Sequence, residues 1–292
     1  MTTAEIQGTT LGERVPVGGR FGWLMTIYRY ALVILLALVF VFPFVVMLTT
    51  AFKVSDEIFT APPELFPRSW TLEHFYNALT QIPFWRFLIN TVVIAGLSVL
   101  GTVLVSPLVA YSLAKLRWRG RNLLFIMVLA TMMLPPQVTL IPIYMMWNKV
   151  GLTGTILPLV VPAFLGTPFF IFLIRQFLLS VPDELIEAAK VDGASEFRIY
   201  WSIVLPIARP ALITSAVFQF VWAWTDFLYP LIYLNDEESY TLSIGLYSFL
   251  GQHGVQWGPL MAACVLFTLP AFLIFLMFQR YFIGGIATGA LK

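Results

Sequence analysis

Few side chains in this 292-residue chain are equipped for chemistry, and most of them are acids or aromatics set in apolar surroundings. Asp226 is the only acid inside any long apolar run. A carboxylate at the centre of a membrane helix costs about 2.5–3.5 kcal/mol on insertion scales, so it marks a functional position by default. Phe218 and Trp222 precede it at four-residue spacing, which on one helix places all three on a common face. Aromatic faces stack on sugar rings, and a carboxylate accepts hydroxyl hydrogen bonds. The competing reading is a carboxylate near the interface, bonded to water or to a tryptophan N–H, among aromatics that merely pack or form an interfacial belt in a chain that is 16% aromatic. Both readings stay open on the sequence.

Catalytic equipment is missing. There is no His-Glu-x-x-His pair, no Gly-x-Ser-x-Gly elbow, no phosphate-cradling glycine loop and no pair of intramembrane carboxylates. His74 and His253 fall in separate loops without a second ligand at metal spacing, so no metal site is expected. The lone Cys264 sits in an apolar run and reads as a packing residue. The chain is therefore expected to be no enzyme, to bind no cofactor and to have no ATPase site of its own.

Apolar residues make up 59% of the chain and charged ones 11%, against about 45–50% and 25% in soluble domains. This is the composition of an all-α integral membrane protein. A net charge of +2, with basic residues scattered over short loops, excludes a nucleic-acid binder. The first apolar run exceeds the core of a cleavable signal and is read as a retained span. Six spans are predicted: 30–48 with a kink at Pro43, 87–113, 123–147 broken at Pro135–Pro136, 154–174 made irregular by Pro158, Pro162 and Pro168, 211–234, and 259–277. Irregular backbone at membrane depth is tolerated where it is buried or lines a cavity, which favours a transport bundle over an anchor. Ala95, Gly96, Ser98, Gly101 and Ser106 in the second span allow close helix contact, and a short helix is expected over 71–79. The expected units are a tail over 1–27, the first span with an extracytoplasmic segment over 28–86, a five-span core over 87–278, and a second tail over 279–292.

Orientation follows from charge. The two tails and the loops after spans two and four hold thirteen basic residues, and the other three loops hold four. The positive-inside bias places both termini in the cytoplasm. The run Lys115, Arg117, Arg119, Arg121 reads as a topology determinant, with lipid head-group binding as the weaker option.

The loop after span four, Glu187-Ala188-Ala189-Lys190-Val191-Asp192-Gly193 and onward to Leu205-Pro206, is charged where its surroundings are greasy. Ser180 to Asp183 supply a cap, an early proline and an acid for a helix start, and Gly193 ends that helix. A second short helix begins at Ser195. Leu185, Ile186 and Ala189 are expected near one face, with the adjacent alanines leaving room for a partner's backbone, and a local Glu187–Lys190 pair is the bland alternative.

The spacing Glu187-Ala188-Ala189, Gly193, Ile203, Leu205-Pro206 resembles the EAA loop of ABC-importer permeases. Further strings, Ala110-Tyr111-Ser112-Leu113-Ala114, Met133-Leu134-Pro135, Gly151-Leu152-Thr153 and Trp224 to Leu231, resemble the carbohydrate-uptake, maltose-type group. Thr225 departs from the asparagine more usual there. The resemblance implies six spans with cytoplasmic coupling helices between spans four and five, in a prokaryotic inner membrane. It implies a second permease subunit, two ATP-binding subunits that use ATP and Mg, an extracytoplasmic solute-binding protein, and membrane lipid around them. It also implies that Glu187, Ala188, Ala189, Asp192 and Gly193 meet the ATPase subunit, and that a sugar or oligosaccharide is imported by alternating access. Glycerol phosphate or another polar solute is the alternative, and an ion-coupled secondary transporter a more distant one.

Overall fold

The computed structural model describes residues 20–251 and 254–289. The apolar runs form helices, as they must where backbone polar groups have no water to bond. In order these are α1 (Arg20–Phe52), α2 (Glu73–Thr80), α3 (Phe84–Ala114), α4 (Arg121–Met132), α5 (Pro136–Lys149), α6 (Leu157–Phe164) and α7 (Pro168–Leu179). A cluster of short helices follows: α8 (Glu184–Val191), α9 (Glu196–Ile199) and α10 (Leu205–Ile207). The chain then forms α11 (Arg209–Thr225), α12 (Leu228–Tyr233), α13 (Leu242–Tyr247) and α14 (Trp257–Gly289). A small antiparallel hairpin, β1 (Leu250–Gly251) with β2 (Gly254–Val255), precedes α14.

The bundle is built around α3, against which α6, α7 and α11 pack. In the middle of α3 the buried residues are small or hydroxylated, Ala95, Ser98, Gly101, Thr102 and Ser106, with larger ones such as Phe87 and Leu113 toward the ends. Gly101 shows why, since a Cβ there would stand 2.6 Å from the Phe164 ring of α6. The expectation for Gly96 fails, because it is exposed with nothing within 4 Å. α14 packs on α1, α2 and α11. Most side chains of α1 are nevertheless exposed: Phe40, for instance, is 72% exposed. Apolar surface on that scale is covered by lipid or by another chain.

Among the described residues four helices are long and apolar enough to cross a membrane, or up to six if each of two bent pairs counts as one span. The break foreseen at Pro135–Pro136 is a 99° bend between α4 and α5. The prolines of the 154–174 run split it into α6 and α7 around Gly166, at φ +93°. Pro43 lies within an uninterrupted α1, and the short helix foreseen over 71–79 is α2. The last helix reaches Gly289, so most of the tail assigned to 279–292 is helical, whereas the tail assigned to 1–27 lies largely outside the described residues. The short helices α8–α10 gather at the Ala114 end of α3, and α2, α13 and the start of α14 at its Phe84 end.

Candidate functional site

The charged loop folds as its sequence suggests, with two departures. Ser180 does not cap α8: its hydroxyl donates back to the Phe177 carbonyl at 2.7 Å and so closes α7, and Asp183 at the N-cap makes no side-chain cap. At the other end Gly193 takes φ +78°, its N–H meets Lys190 O and the Ala194 N–H meets Ala189 O, each at 3.0 Å. That pair of bonds is the Schellman closure, which requires a left-handed residue at this point. Ser195 Oγ then accepts from Arg198 N to start α9. The chain runs through a π-helical turn, Tyr200–Val204, into α10.

Ile186 and Ala189, one turn apart, are buried against Ala110, Tyr111 and Ala114 of α3 and Ile174 and Leu178 of α7. Leu185 does not join them and is 47% exposed, because adjacent helical residues point about 100° apart. Glu187, Ala188, Asp192 and Gly193 face outward, while Ala189 is turned into its own chain. The sequence reading missed Phe197 and Trp201, both exposed, which stack at 6.3 Å between centroids. Two exposed aromatics four residues apart were the available signal.

A second omission concerns the end of α3. The Lys115 side chain is 4% exposed, and its Nζ donates to Val181 O at 2.6 Å and to Asp183 Oδ1 at 2.5 Å. The Tyr111 hydroxyl donates to Glu196 Oε2 at 2.8 Å, and Arg117 stands 3.8 Å from Glu187. Thus Lys115 and Tyr111, at the end of α3, grip the loop before α8 and at the start of α9, while the Arg117–Glu187 contact is exposed and weak. The foreseen Glu187–Lys190 pair is replaced by Lys190–Glu196 at 2.6 Å. The Lys115 ammonium holds the Asp183 carboxyl below the usual carboxylate range, first by hydrogen bond and then by charge. Beside this grip lies an open cleft of ≈ 570 Å³, lined by Lys115, Arg117, Arg121 and the Ser180 to Glu184 turn. The basic run is therefore built into the loop's support.

The second candidate group lies deeper. α11 ends at Thr225, and Asp226 has extended backbone at φ −66°, ψ 124°. The single helical face proposed for Phe218, Trp222 and Asp226 is thereby broken. Trp222 and Asp226 still meet at one cavity of ≈ 120 Å³, together with Ser98 of α3 and Gln219 of α11. Phe218 does not line it and packs edge-on to Phe169 at 6.4 Å. Asp226 is secured twice: its Oδ1 accepts from Tyr229 N at 3.3 Å, and its carbonyl accepts from Ser243 Oγ at 2.6 Å. Ser98 Oγ is buried without a hydrogen-bond partner in the chain, and Gln219 Oε1 accepts from Thr102 at 3.3 Å. The arrangement suits hydroxyl groups, with one anionic acceptor, an amide, a hydroxyl and an indole ring. Among the described residues no cluster of three or more His, Cys, Asp or Glu could hold a metal, and His253 lies outside them.

Comparison with known proteins agrees with this architecture. Over 273 residues the chain is 33% identical to "Arabinooligosaccharides transport system permease protein AraQ" of Halalkalibacterium halodurans, covering 92% of this chain and 96% of the relative. Over 279 residues it is 35% identical to "sn-glycerol-3-phosphate transport system permease protein UgpE" of Escherichia coli O1:K1, covering 90% and 96%. Its fold is similar to a chain from the crystal structure of "a bacterial ABC transporter involved in the import of the acidic polysaccharide alginate", with TM-score 0.81, 22% identity and coverage of 91% and 99%. Residues 106–287, which hold the gripping end of α3, the charged loop and the Asp226 break, match the family described as "Binding-protein-dependent transport system inner membrane component". The chain belongs to that family, the membrane permeases of ABC importers.

Proposed function

We propose that this chain is one half of a carbohydrate path across a prokaryotic inner membrane, moved by a separate ATPase through the α8–α10 loop. In this reading six spans cross the bilayer, both termini and the loop are cytoplasmic, and the basic residues of the loops fix that orientation. A second permease subunit completes the path, two ATP-binding subunits supply ATP and Mg chemistry, and an extracytoplasmic protein delivers solute. The chain itself hydrolyses nothing.

One observation carries the reading. The loop is pinned on its inner side to α3 by Lys115 and Tyr111, while Glu187, Ala188, Asp192 and Gly193 are offered outward. A body docked on that outer face would move α3, and with it α6, α7 and α11, which pack on α3. Closure of an ATPase pair would then tilt the bundle, and hydrolysis would release it.

The relative that carries arabinooligosaccharides supports a neutral sugar, and the relative that carries glycerol phosphate supports an anion. The Asp226 cavity favours the first. Its described lining contains a carboxylate and no lysine or arginine, so a phosphate would meet repulsion there without compensation. The experiment is uptake into proteoliposomes holding the complete importer, with arabinooligosaccharides, maltose and glycerol 3-phosphate as competing solutes. Neutral sugar uptake that falls about tenfold or more in Asp226→Ala supports the assignment, that being the equivalent of one charge-assisted hydrogen bond. Selective uptake of glycerol 3-phosphate overturns it.

A further inference from the structure

A further cavity, with mixed polar and apolar walls, lies at the Phe84 end of α3, the end away from α8–α10. Its volume is ≈ 320 Å³, within the lower range of small-molecule sites. α2 presents His74, Asn77 and Gln81 to it at i, i+3 and i+7, which is one helical face. The opposite wall is Gln256, Trp257 and Gly258 at the start of α14, with Phe59 edge-on to Trp257 at 6.0 Å.

His74 is the telling residue. It is 3% exposed, and both ring nitrogens are buried without a hydrogen-bond partner in the chain. A buried polar atom without a partner is destabilising, and His74 has two. The ring is held by packing instead: it lies against Gly258, where a Cβ would have no room. A leucine would fill that space without the penalty, so the imidazole is out of place unless something bonds to it.

The lining states what that is. Among the described residues it has three amides, an imidazole, a serine hydroxyl and two aromatic rings, and no charged side chain. Amides both donate and accept, as hydroxyl groups do, and ring faces pack against C–H surface. An anion would find no cation there and an amine no carboxylate. We propose that this cavity is a binding site for one unit of a neutral polyhydroxylated solute, separate from the Asp226 cavity and at the opposite end of the bundle from the coupling loop. The solute class rests on the carbohydrate reading above; the cavity's amide and imidazole lining and its lack of charge do not.

Because the chain has only two histidines, His253→Gln leaves one imidazole, that of His74. The full chain carrying 15N-histidine and His253→Gln, in lipid nanodiscs, is titrated with maltose and separately with glycerol 3-phosphate. Maltose is expected to shift the His74 ring nitrogen resonances saturably, and glycerol 3-phosphate to leave them in place. Asn77→Ala/Gln81→Ala should raise the half-saturating concentration about tenfold, the equivalent of one to two neutral hydrogen bonds. Tyr76→Phe, on the solvent face of α2, should leave it unchanged. Silence of His74 toward maltose, an equal response to glycerol 3-phosphate, or indifference to the double variant overturns the site. In the assembled importer the same double variant should raise the KM for sugar with little change in kcat. The titration contains no ATPase and no transport step, so a responding His74 beside failed uptake counts against the proposed function, and a silent His74 beside working sugar uptake counts against this cavity.

Discussion

Lys115 decides more than its place in a basic run suggests. Replacing it with Met removes both of its bonds to the loop while Asp183, 63% exposed, returns to water. The expected destabilisation is about 1–2 kcal/mol, and the larger effect is on coupling: sugar moved per ATP hydrolysed should fall severalfold. Lys115→Arg should recover part of it. The ratio of uptake to ATPase rate in proteoliposomes checks both. Asp183 adds a pH signature. Its folded-state pKa is lowered by Lys115, so its contribution is present above the unfolded value near 3.9 and is lost as pH falls through the folded value. The difference in thermal stability between the wild type and Asp183→Asn should therefore stay constant from about pH 8 to 5 and shrink below about 4. Gly193→Ala meets no steric neighbour but must hold φ +78°, and should cost about 1–2 kcal/mol, measurable as a lowered Tm. Lys115 was legible in the sequence only as charge, because its partners lie 66 and 68 residues away and nothing local marks them.

Among the elements, helix existence was readable and helix faces were not. Long apolar runs, proline breaks and the cap at Ser195 are local signals, and α1, α3, the α4–α5 bend and α9 follow from them. Which face of α8 turns inward depends on α3 and α7, and Leu185 was assigned to the wrong side for that reason. The Asp226 group was read on the assumption of a continuous helix. No glycine announces the break after Thr225; it is sustained by Ser243 of α13, bonded to the Asp226 carbonyl, and by the Asp226 carboxylate accepting from Tyr229 N. The α3–α6 contact is the tightest test of the bundle. Gly101→Ala forces a methyl group into the Phe164 ring and should destabilise the protein by about 1–3 kcal/mol, whereas Gly96→Ala, which meets nothing, should not. Thermal unfolding in detergent distinguishes the two.

For the whole molecule, membrane class and family were legible because composition and the spaced loop motif are properties of the chain rather than of its packing. Solute was not, since in the proposed importer the path is completed by other chains. The proposed orientation rests on loop charge and can be tested with cysteines in a Cys264→Ser background. Arg119→Cys should react with a membrane-impermeant maleimide only after the cytoplasmic face is opened, and Glu237→Cys without that step. The account as a whole turns on the loop at the Ala114 end of α3 being the handle of a separate motor. The most direct measurement is ATP-dependent sugar uptake by the complete importer carrying Glu187→Ala, beside the wild type and beside the permease chains without ATPase. The account predicts ATP-dependent uptake in the wild type alone, with loss of assembly or of coupled hydrolysis in Glu187→Ala. Undiminished uptake by that variant, or uptake by the permease chains without an ATPase, would contradict it.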